Sequence, residues 1–355
     1  MFYSGIDLHK DNCVISTVNQ NGEMIKQSKL PNHNNSIIRY FSELGKQHKA
    51  VVESTSNWYW LSDLLQENGI DIVLAHAKYL KAISYAKVKT DKVDSLTLAD
   101  LLRMNMIPEA HQISVEKRPL RDLMRARLRL VTKKVSCLNS IHRLLGKYNI
   151  AVPEDRNLHD LSTLDLLVNL PLDQDAHFQL ELYKQQILLL HQQITRLEKS
   201  LHPRLLTNED IQRLLWIPGI GKILAFTIYL EVDGIDRFAD VNRFYSYCRL
   251  VPGADNSNRK QRHKSGNKDG NRYLKIAFME AGIKARQYYK EIRQFYNSKA
   301  SKKHKNIARN LVSLELARIT WYVLKEKTAF NNIFKGKTLS RQKIKQWPRL
   351  ASPDA

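Results

Sequence analysis

Four acidic residues stand where metal-dependent chemistry on phosphate would need them. Asp7 ends the run Gly5-Ile6-Asp7-Leu8, Glu53 ends Ala50-Val51-Val52-Glu53, and Asp91 and Asp94 open the apolar-periodic segment Val93-Leu96-Leu98-Leu101-Leu102. A spacing of three residues puts Asp91 and Asp94 on one face of a helix. Mg²⁺ takes a few carboxylates together with water and phosphate oxygens, and two such ions can clamp both sides of an in-line phosphoryl displacement. One Asp or Glu alone is ordinarily a solvated charge; the set, in this order and at these element ends, is what points to a metal site. His9 and Lys10 beside Asp7, and Lys89 and Lys92 beside the other pair, are cations that would meet a phosphate or simply lie in solvent.

The elements that must position these acids can be read from alternation and punctuation. GIDLHK, CVISTVN and EMIKQSKL read as three hairpin-linked strands, followed by a helix, the strand AVVEST, a second helix and the strand IDIVLA. That order predicts an α/β domain with a mixed sheet, in which Asp7 ends the first strand and Glu53 the fourth. Asn32–Ser36 reads as a polar cluster capping a helix over Ile37–Leu44, and Ser54–Asn57 as a cap for the helix through Trp58 and Leu65. Trp58, Tyr59 and Trp60 offer a base-stacking platform, but aromatics beside a sheet are more often core.

The motifs Gly5-Ile6-Asp7-Leu8-His9-Lys10, Val52-Glu53-Ser54-Thr55 and Lys89-Thr90-Asp91-Lys92-Val93-Asp94 resemble the DEDD domain of the transposase family named after insertion sequence 110. Its relatives include the Piv DNA invertase and the bridge-RNA-guided recombinases. The resemblance implies a RuvC/RNase H-like fold over residues 1–112. It also makes Asp7, Glu53, Asp91 and Asp94 the four metal-binding acids, with Mg²⁺ as cofactor and Mn²⁺ as the alternative.

Bulk properties agree. A chain of 355 residues suggests two or three domains, and a net charge of +22 points to a polyanionic partner. No stretch reaches the roughly eighteen apolar residues of a membrane span, and MFYSGIDLHK begins as a strand rather than as an export signal. Cys13, Cys137 and Cys248 are odd in number and far apart, which suits a reducing cytoplasm. With no CxxC or HExxH they make no zinc site, and FKGKT around Gly336 lacks the upstream glycine of a P-loop.

Pro108 to Pro119 breaks the pattern and ends the first domain. Beyond it, Met124, Leu128, Val131, Val135, Leu138, His142 and Leu145 recur at alternating four and three, with Arg121, Arg125, Arg127, Arg129, Lys133 and Lys134 on the other faces. Leu180, Tyr183, Ile187, Leu190, Ile194, Leu197 and Leu201 repeat the spacing. Two such heptad helices form either an antiparallel hairpin within the chain or a seam between chains. The resemblance implies a coiled-coil arm used for assembly, which favours a homo-oligomer (dimer or tetramer) over residues 113–206. His142 reads as a packed or edge histidine rather than a ligand.

From residue 207 the chain predicts a mainly helical domain reaching about residue 330. Leu214–Ala225, with Pro218-Gly219-Ile220-Gly221-Lys222 at its centre, resembles a helix-hairpin-helix whose backbone N–H groups hold a phosphate. A helix over Ala239–Leu250 follows. The next stretch is the most basic loop of the chain, carrying Arg259, Lys260, Arg262, Lys264, Lys268, Arg272 and Lys275 against only Asp269, a composition suited to clasping a phosphate backbone. Its ordering, Leu-Val-Pro, serine, basic run, then Lys268-Asp269-Gly270-Asn271-Arg272-Tyr273-Leu274-Lys275, is similar to the second conserved domain of the same family. There a serine five residues after the proline is the nucleophile, which gives Ser257; Ser265 is a rival in the same loop. The sequence departs from the family where Asn258 follows the serine in place of glycine, and Asn tolerates left-handed backbone angles better than most residues. A last helix over Ile307–Tyr322 and a basic tail over residues 331–355 complete the chain.

The fold class is therefore α/β plus α: an N-terminal mixed sheet, central coiled-coil helices and a helical C-terminal domain. The resemblance covers essentially the whole chain and implies a cytoplasmic, nucleoid-associated bacterial transposase or site-specific recombinase. In that reading Ser257 attacks a phosphate of donor or target DNA, and the acids and the serine come from different subunits. A structured non-coding guide RNA directs the reaction; the residues themselves show no RNA, and the basic charge only permits it. Two other readings stay open: a RuvC-like metal-dependent endonuclease or junction resolvase that uses water, and a non-catalytic nucleic-acid-binding descendant.

Overall fold

The computed structural model describes residues 1–45, 47–55, 57–83, 90–152, 157–251 and 269–328. Lys89, Ser257, Ser265, Arg259, Lys260, Arg262, Lys264, Lys268 and the tail from 331 lie outside the described residues. Contacts group the chain into two compact units, Met1–Ile113 and Ser114 onward.

The first unit is built on strands β1 (Phe2–Leu8), β2 (Asn12–Val18), β3 (Met24–Pro31), β4 (His48–Glu53) and β5 (Asp71–Ala75). The sheet runs in the order β3-β2-β1-β4-β5. β1, β2 and β3 pair antiparallel, whereas β4 and β5 extend the sheet in parallel from β1. The side-chain period of two decides the layers. Ile6, Leu8, Val52, Ile72 and Leu74 face one way, into a core shared with helices α1 (Asn34–Ser42) and α2 (Tyr59–Glu67). Val51 and Val73 face the other way, into a second core with helices α3 (Ala77–Ile83) and α4 (Asp91–Arg103). Gly5 lies on that second face, where an added Cβ would stand 2.1 Å from the Ser95 carbonyl oxygen. The missing side chain lets α4 lie directly on β1.

Two local expectations are corrected. The Asn32–Ser36 cluster supplies the N-cap of its helix, His33, but with no side-chain capping bond, and the Ser54–Asn57 cluster does not supply one, since the N-cap of α2 is Trp58, again without a side-chain bond. Asn32 and Asn57 instead reach across to the β1–β2 turn, donating to the His9 carbonyl at 3.0 and 2.9 Å. Trp58 is buried in the first core, with Tyr59 and Trp60 packed against it, so the aromatic cluster is core.

The second unit contains α5 (Arg118–Lys147), α6 (Leu161–Leu166), α7 (Gln174–Leu205), α8 (Glu209–Leu215), α9 (Lys222–Val232), α10 (Val241–Tyr247), α11 (Arg272–Tyr288), α12 (Lys290–Ala300) and α13 (Lys305–Lys325). α5 and α7 face each other antiparallel within the chain, as Cys137 with Gln186 and Arg127 with Glu198 mark along their length. The heptad of α7 holds, with Leu180, Ile187, Ile194 and Leu201 buried. That of α5 slips: Leu138, Ile141 and Leu145 are buried, while His142 is exposed and Val135 partly so. His142 is therefore a solvated residue, because the stripe continues through Ile141 at the i+3 step. The remaining helices close over a core centred on Phe226, Phe244 and Phe278. The expected helix over Ala239–Leu250 is shorter, starting after the Asp240 cap and ending at Tyr247. α12 lies within the stretch expected to be helical.

Candidate active site

The parallel register fixes the first half of the acid cluster. Ile6 pairs with Val52, so Asp7 and Glu53 are the next residues at the carboxyl ends of adjacent strands. Strands in a sheet lie about 4.8 Å apart. By alternation Asp7 shares its face with Gly5, and Glu53 shares its face with Val51, which is the face that α4 covers. α4 brings the second half. Thr90 caps it by accepting from the Val93 N–H at 3.3 Å, and Asp91 and Asp94 fill its first turn. There the unpaired N–H groups and the helix dipole favour negative charge.

The close approach at Gly5 therefore does chemical work. It sets the N-terminal turn of α4 against the end of β1, and the Ser16–Ser95 hydroxyl bond at 2.7 Å fixes the same contact from β2. His9 Nε2 lies 3.2 Å from Asp7 Oδ2 and 3.4 Å from Asp91 Oδ1. Asp94 acts on Asp7 through its charge. Burial is the largest influence on the Asp7 carboxyl and, with the Asp91 and Asp94 charges, pushes it above its ordinary 3.8 against the pull of His9. Like charges gathered at the cost of burial are the expected signature of a site completed by a cation. The donors, carboxylate oxygens with one imidazole, fit a hard divalent ion. Lys10 and Lys92 are exposed at its rim.

In the second unit the two hairpin glycines have different jobs. Gly219 has φ +78°, and a Cβ there would stand 2.2 Å from the Ala281 carbonyl oxygen. It is required by the turn and by close packing on α11. Gly221 caps α9 in an extended conformation with open space around it, and Lys222 beside it is exposed. The Gly221–Lys222 side of the turn is exposed, and Gly219 is partly so. Arg272 is exposed at the first position of α11, its guanidinium 5.0 Å from the centre of the Tyr273 ring.

Sequence reasoning missed a buried polar network at the root of the basic loop. Glu231, 2 % exposed at its side chain, receives Arg125 at 2.6 Å, Arg121 at 3.0 Å and the Asn271 amide at 2.6 Å. Burial works against ionisation of Glu231, yet Arg125, Arg121 and Asn271 together hold its carboxyl below its ordinary value. Asn271 also caps α11 by accepting from the Tyr273 and Leu274 N–H groups, and Arg249 donates to the Gly270 carbonyl at 2.7 Å. Arg121 and Arg125, expected on the faces of α5 away from the heptad stripe, are thus turned inward. The available signal was Glu231 itself, an acid in the otherwise apolar run ILAFTIYLEV.

Two family models match the chain. One, described as a transposase and representing the DEDD domain of the IS110 group, covers residues 4–150. The other, described as the transposase IS116/IS110/IS902 family, covers residues 211–297. The transposase for insertion sequence element IS1328 of Yersinia enterocolitica is 23 % identical over 347 residues, spanning 92 % of this chain and 98 % of the relative. A probable family 20 transposase of Pseudomonas aeruginosa is 22 % identical, spanning 92 % and 97 %. The transposase for IS1111A of Coxiella burnetii is 24 % identical over 273 residues, spanning 75 % and 70 %. No helix among the described residues is long and apolar enough to cross a membrane. With both halves matched by models of one group, the chain belongs to the IS110 family of transposases.

Proposed function

We propose that this transposase cuts and rejoins DNA with Asp7, Glu53, Asp91 and Asp94 holding Mg²⁺ or Mn²⁺ and with Ser257 as the nucleophile. The observation that supports the metal half is the gathering of ligand atoms from Asp7, His9 and Asp91 within 4.8 Å, at the end of β1 and the first turn of α4; Glu53, at the end of the adjacent β4, and Asp94, in that same turn, join the set by position. The sheet order β3-β2-β1-β4-β5, antiparallel then parallel, supports a RuvC/RNase H-like catalytic domain over residues 1–112. Residues 113–206 serve as the coiled-coil arm, 207–330 as the serine-bearing domain with its helix-hairpin-helix-like turn, and 331–355 as a basic tail.

A bound divalent ion would supply positive charge to the phosphate oxygens and so stabilise the transition state. Asp7, Glu53, Asp91 and Asp94 orient that charge. The Ser257 Oγ–phosphorus bond forms as the phosphorus–oxygen bond to the leaving strand breaks. The proton lost by the serine hydroxyl is matched by the one gained on the leaving oxygen. The phosphoserine link conserves bond energy for rejoining. Arg259, Lys260, Arg262, Lys264, Lys268 and Arg272, with Gly219, Gly221 and Lys222, hold the DNA backbone and offset its charge. Exposed Phe178, Leu182 and Leu189 on one side of α7 support a homo-oligomeric arm. A structured guide RNA accords with the net charge of +22.

Four single amide variants test the metal half: Asp7→Asn, Glu53→Gln, Asp91→Asn and Asp94→Asn. Each should abolish cleavage of DNA carrying the element's junction while binding of that DNA, read by fluorescence anisotropy, is kept. Wild-type cleavage in any of the four would remove that residue from the metal set.

A further inference from the structure

We infer that His9 is a nitrogen donor to the metal at the acid cluster and that this mixed ligand set selects Mn²⁺ over Mg²⁺. The inference rests on the metal-dependent reading above. One ligand atom each from Asp7, His9 and Asp91 falls within 4.8 Å of the others. In an octahedral ion with bonds of about 2.1 Å, neighbouring ligand atoms stand about 3.0 Å apart and opposite ones about 4.2 Å. His9 Nε2, at 3.2 and 3.4 Å from the two carboxylate oxygens, is at neighbour distance from both. A six-coordinate ion can touch all three atoms after small side-chain adjustments, leaving other positions for Glu53, Asp94, water or phosphate.

The backbone holds His9 at that place. Its N–H donates to the Asn12 carbonyl at 2.9 Å, and its carbonyl accepts from Asn32 and Asn57. The β1–β2 turn is thereby tied both to the strand beyond β2 and to the loop after β4.

The choice of ion follows from the donors. Carboxylates suit Mg²⁺, Ca²⁺ and Mn²⁺, whereas imidazole suits transition ions. Of the two ions the family resemblance allows, Mn²⁺ is the transition ion and takes a nitrogen donor more readily, while Mg²⁺ keeps to oxygen and gives up water reluctantly.

The test uses the full chain stripped of metal, with Mn²⁺ alone as probe and Mg²⁺ as competitor. Electron spin-echo spectroscopy of the Mn²⁺ complex should show coupling to one imidazole nitrogen. That coupling should vanish in His9→Ala and persist in His76→Ala, whose histidine follows β5 in the same unit. Mn²⁺ affinity should fall about tenfold or more in His9→Ala, with a smaller change for Mg²⁺. His9→Asp, which replaces nitrogen by oxygen, should recover binding without the nitrogen signal and move the preference towards Mg²⁺. Circular dichroism checks that the variants are folded. Mn²⁺ bound equally or more tightly by His9→Ala, with no nitrogen coupling in the wild type, would overturn the inference and leave His9 a competing cation. Failure of the wild type to bind Mn²⁺ at all would overturn the metal-dependent reading with it.

Discussion

Replacing Gly5 by alanine should damage the fold and the acid cluster together, although the residue carries no functional group. β1 passes under α4 so closely that the new Cβ would stand 2.1 Å from the Ser95 oxygen, 2.5 Å from the Ala99 nitrogen and 2.6 Å from Leu98 Cβ. Two of those three atoms are helix backbone, so no side chain can swing aside. Ordinary contact begins near 3.4 Å, and α4 must therefore lift or tilt by about 1 Å. Overpacking of this kind costs about 1–3 kcal/mol and occasionally more; the backbone contacts place Gly5→Ala at the upper end. For a unit of roughly a hundred residues, each kcal/mol moves the midpoint by about 4–8 °C, so calorimetry should show a loss on the order of 10 °C or more. Because the displaced helix carries Asp91 and Asp94, the strand-cleavage rate should fall about a hundredfold, the usual cost of a 1 Å misplacement. A variant with the wild-type transition and wild-type cleavage would refute the claim that the contact at Gly5 positions the acids.

Three further outcomes are expected. Asp7 has a raised carboxyl pKa, so its proton is held more tightly in the folded state; that contribution to stability is present below the ordinary 3.8 and is lost as pH rises through the folded value. Asp7→Asn should accordingly raise the melting temperature of the metal-free protein at neutral pH and abolish its stabilisation by Mn²⁺, which thermal scans with and without the ion would read. Glu231 is shifted the other way, so its stabilisation is present above the ordinary 4.5 and disappears as pH falls through the folded value. Glu231→Gln removes the buried carboxylate that receives the partly buried Arg121 and Arg125 and should cost about 3 kcal/mol at neutral pH in urea titrations, with the difference narrowing in acid. Changing Phe178 and Leu189 together to glutamate should leave the α5–α7 hairpin intact by circular dichroism. The same change should reduce the mass read by light scattering, because the two exposed side chains lie away from the buried heptad of α7.

What the sequence could reveal followed from how local each cause is. Asp7 and Glu53 were readable because alternation and a terminal charge mark where a strand ends, and Asp91 with Asp94 because helical spacing is a property of a few residues. The α7 stripe was readable for the same reason. His9 was noticed only as a neighbouring cation, since its orientation between two carboxylates depends on Asn32 and Asn57 reaching the turn from distant parts of the chain. The same two asparagines looked like caps, as polar residues before a helix usually are; tertiary bonds took them instead. Gly5 and Gly219 look alike in sequence to any loop glycine, and only the helix lying on each shows why a side chain is excluded. Arg121 and Arg125 were legible only as charges off the heptad stripe, and the partner that turns them inward lies more than a hundred residues away. The basic loop around Ser257 was prominent in sequence by composition alone; its described root, Gly270-Asn271, adds an anchored helix cap that composition does not announce.

The most direct test of the account is a covalent trap. The full chain would be incubated with Mn²⁺ or Mg²⁺, RNA transcribed from the element's flanks and labelled DNA carrying the element's junction, then run on a denaturing gel. A protein–DNA adduct that is lost in both Ser257→Ala and Asp7→Asn is the predicted result. Cut DNA without an adduct, unchanged in Ser257→Ala, would contradict it and assign the chemistry to water activated at the acid cluster.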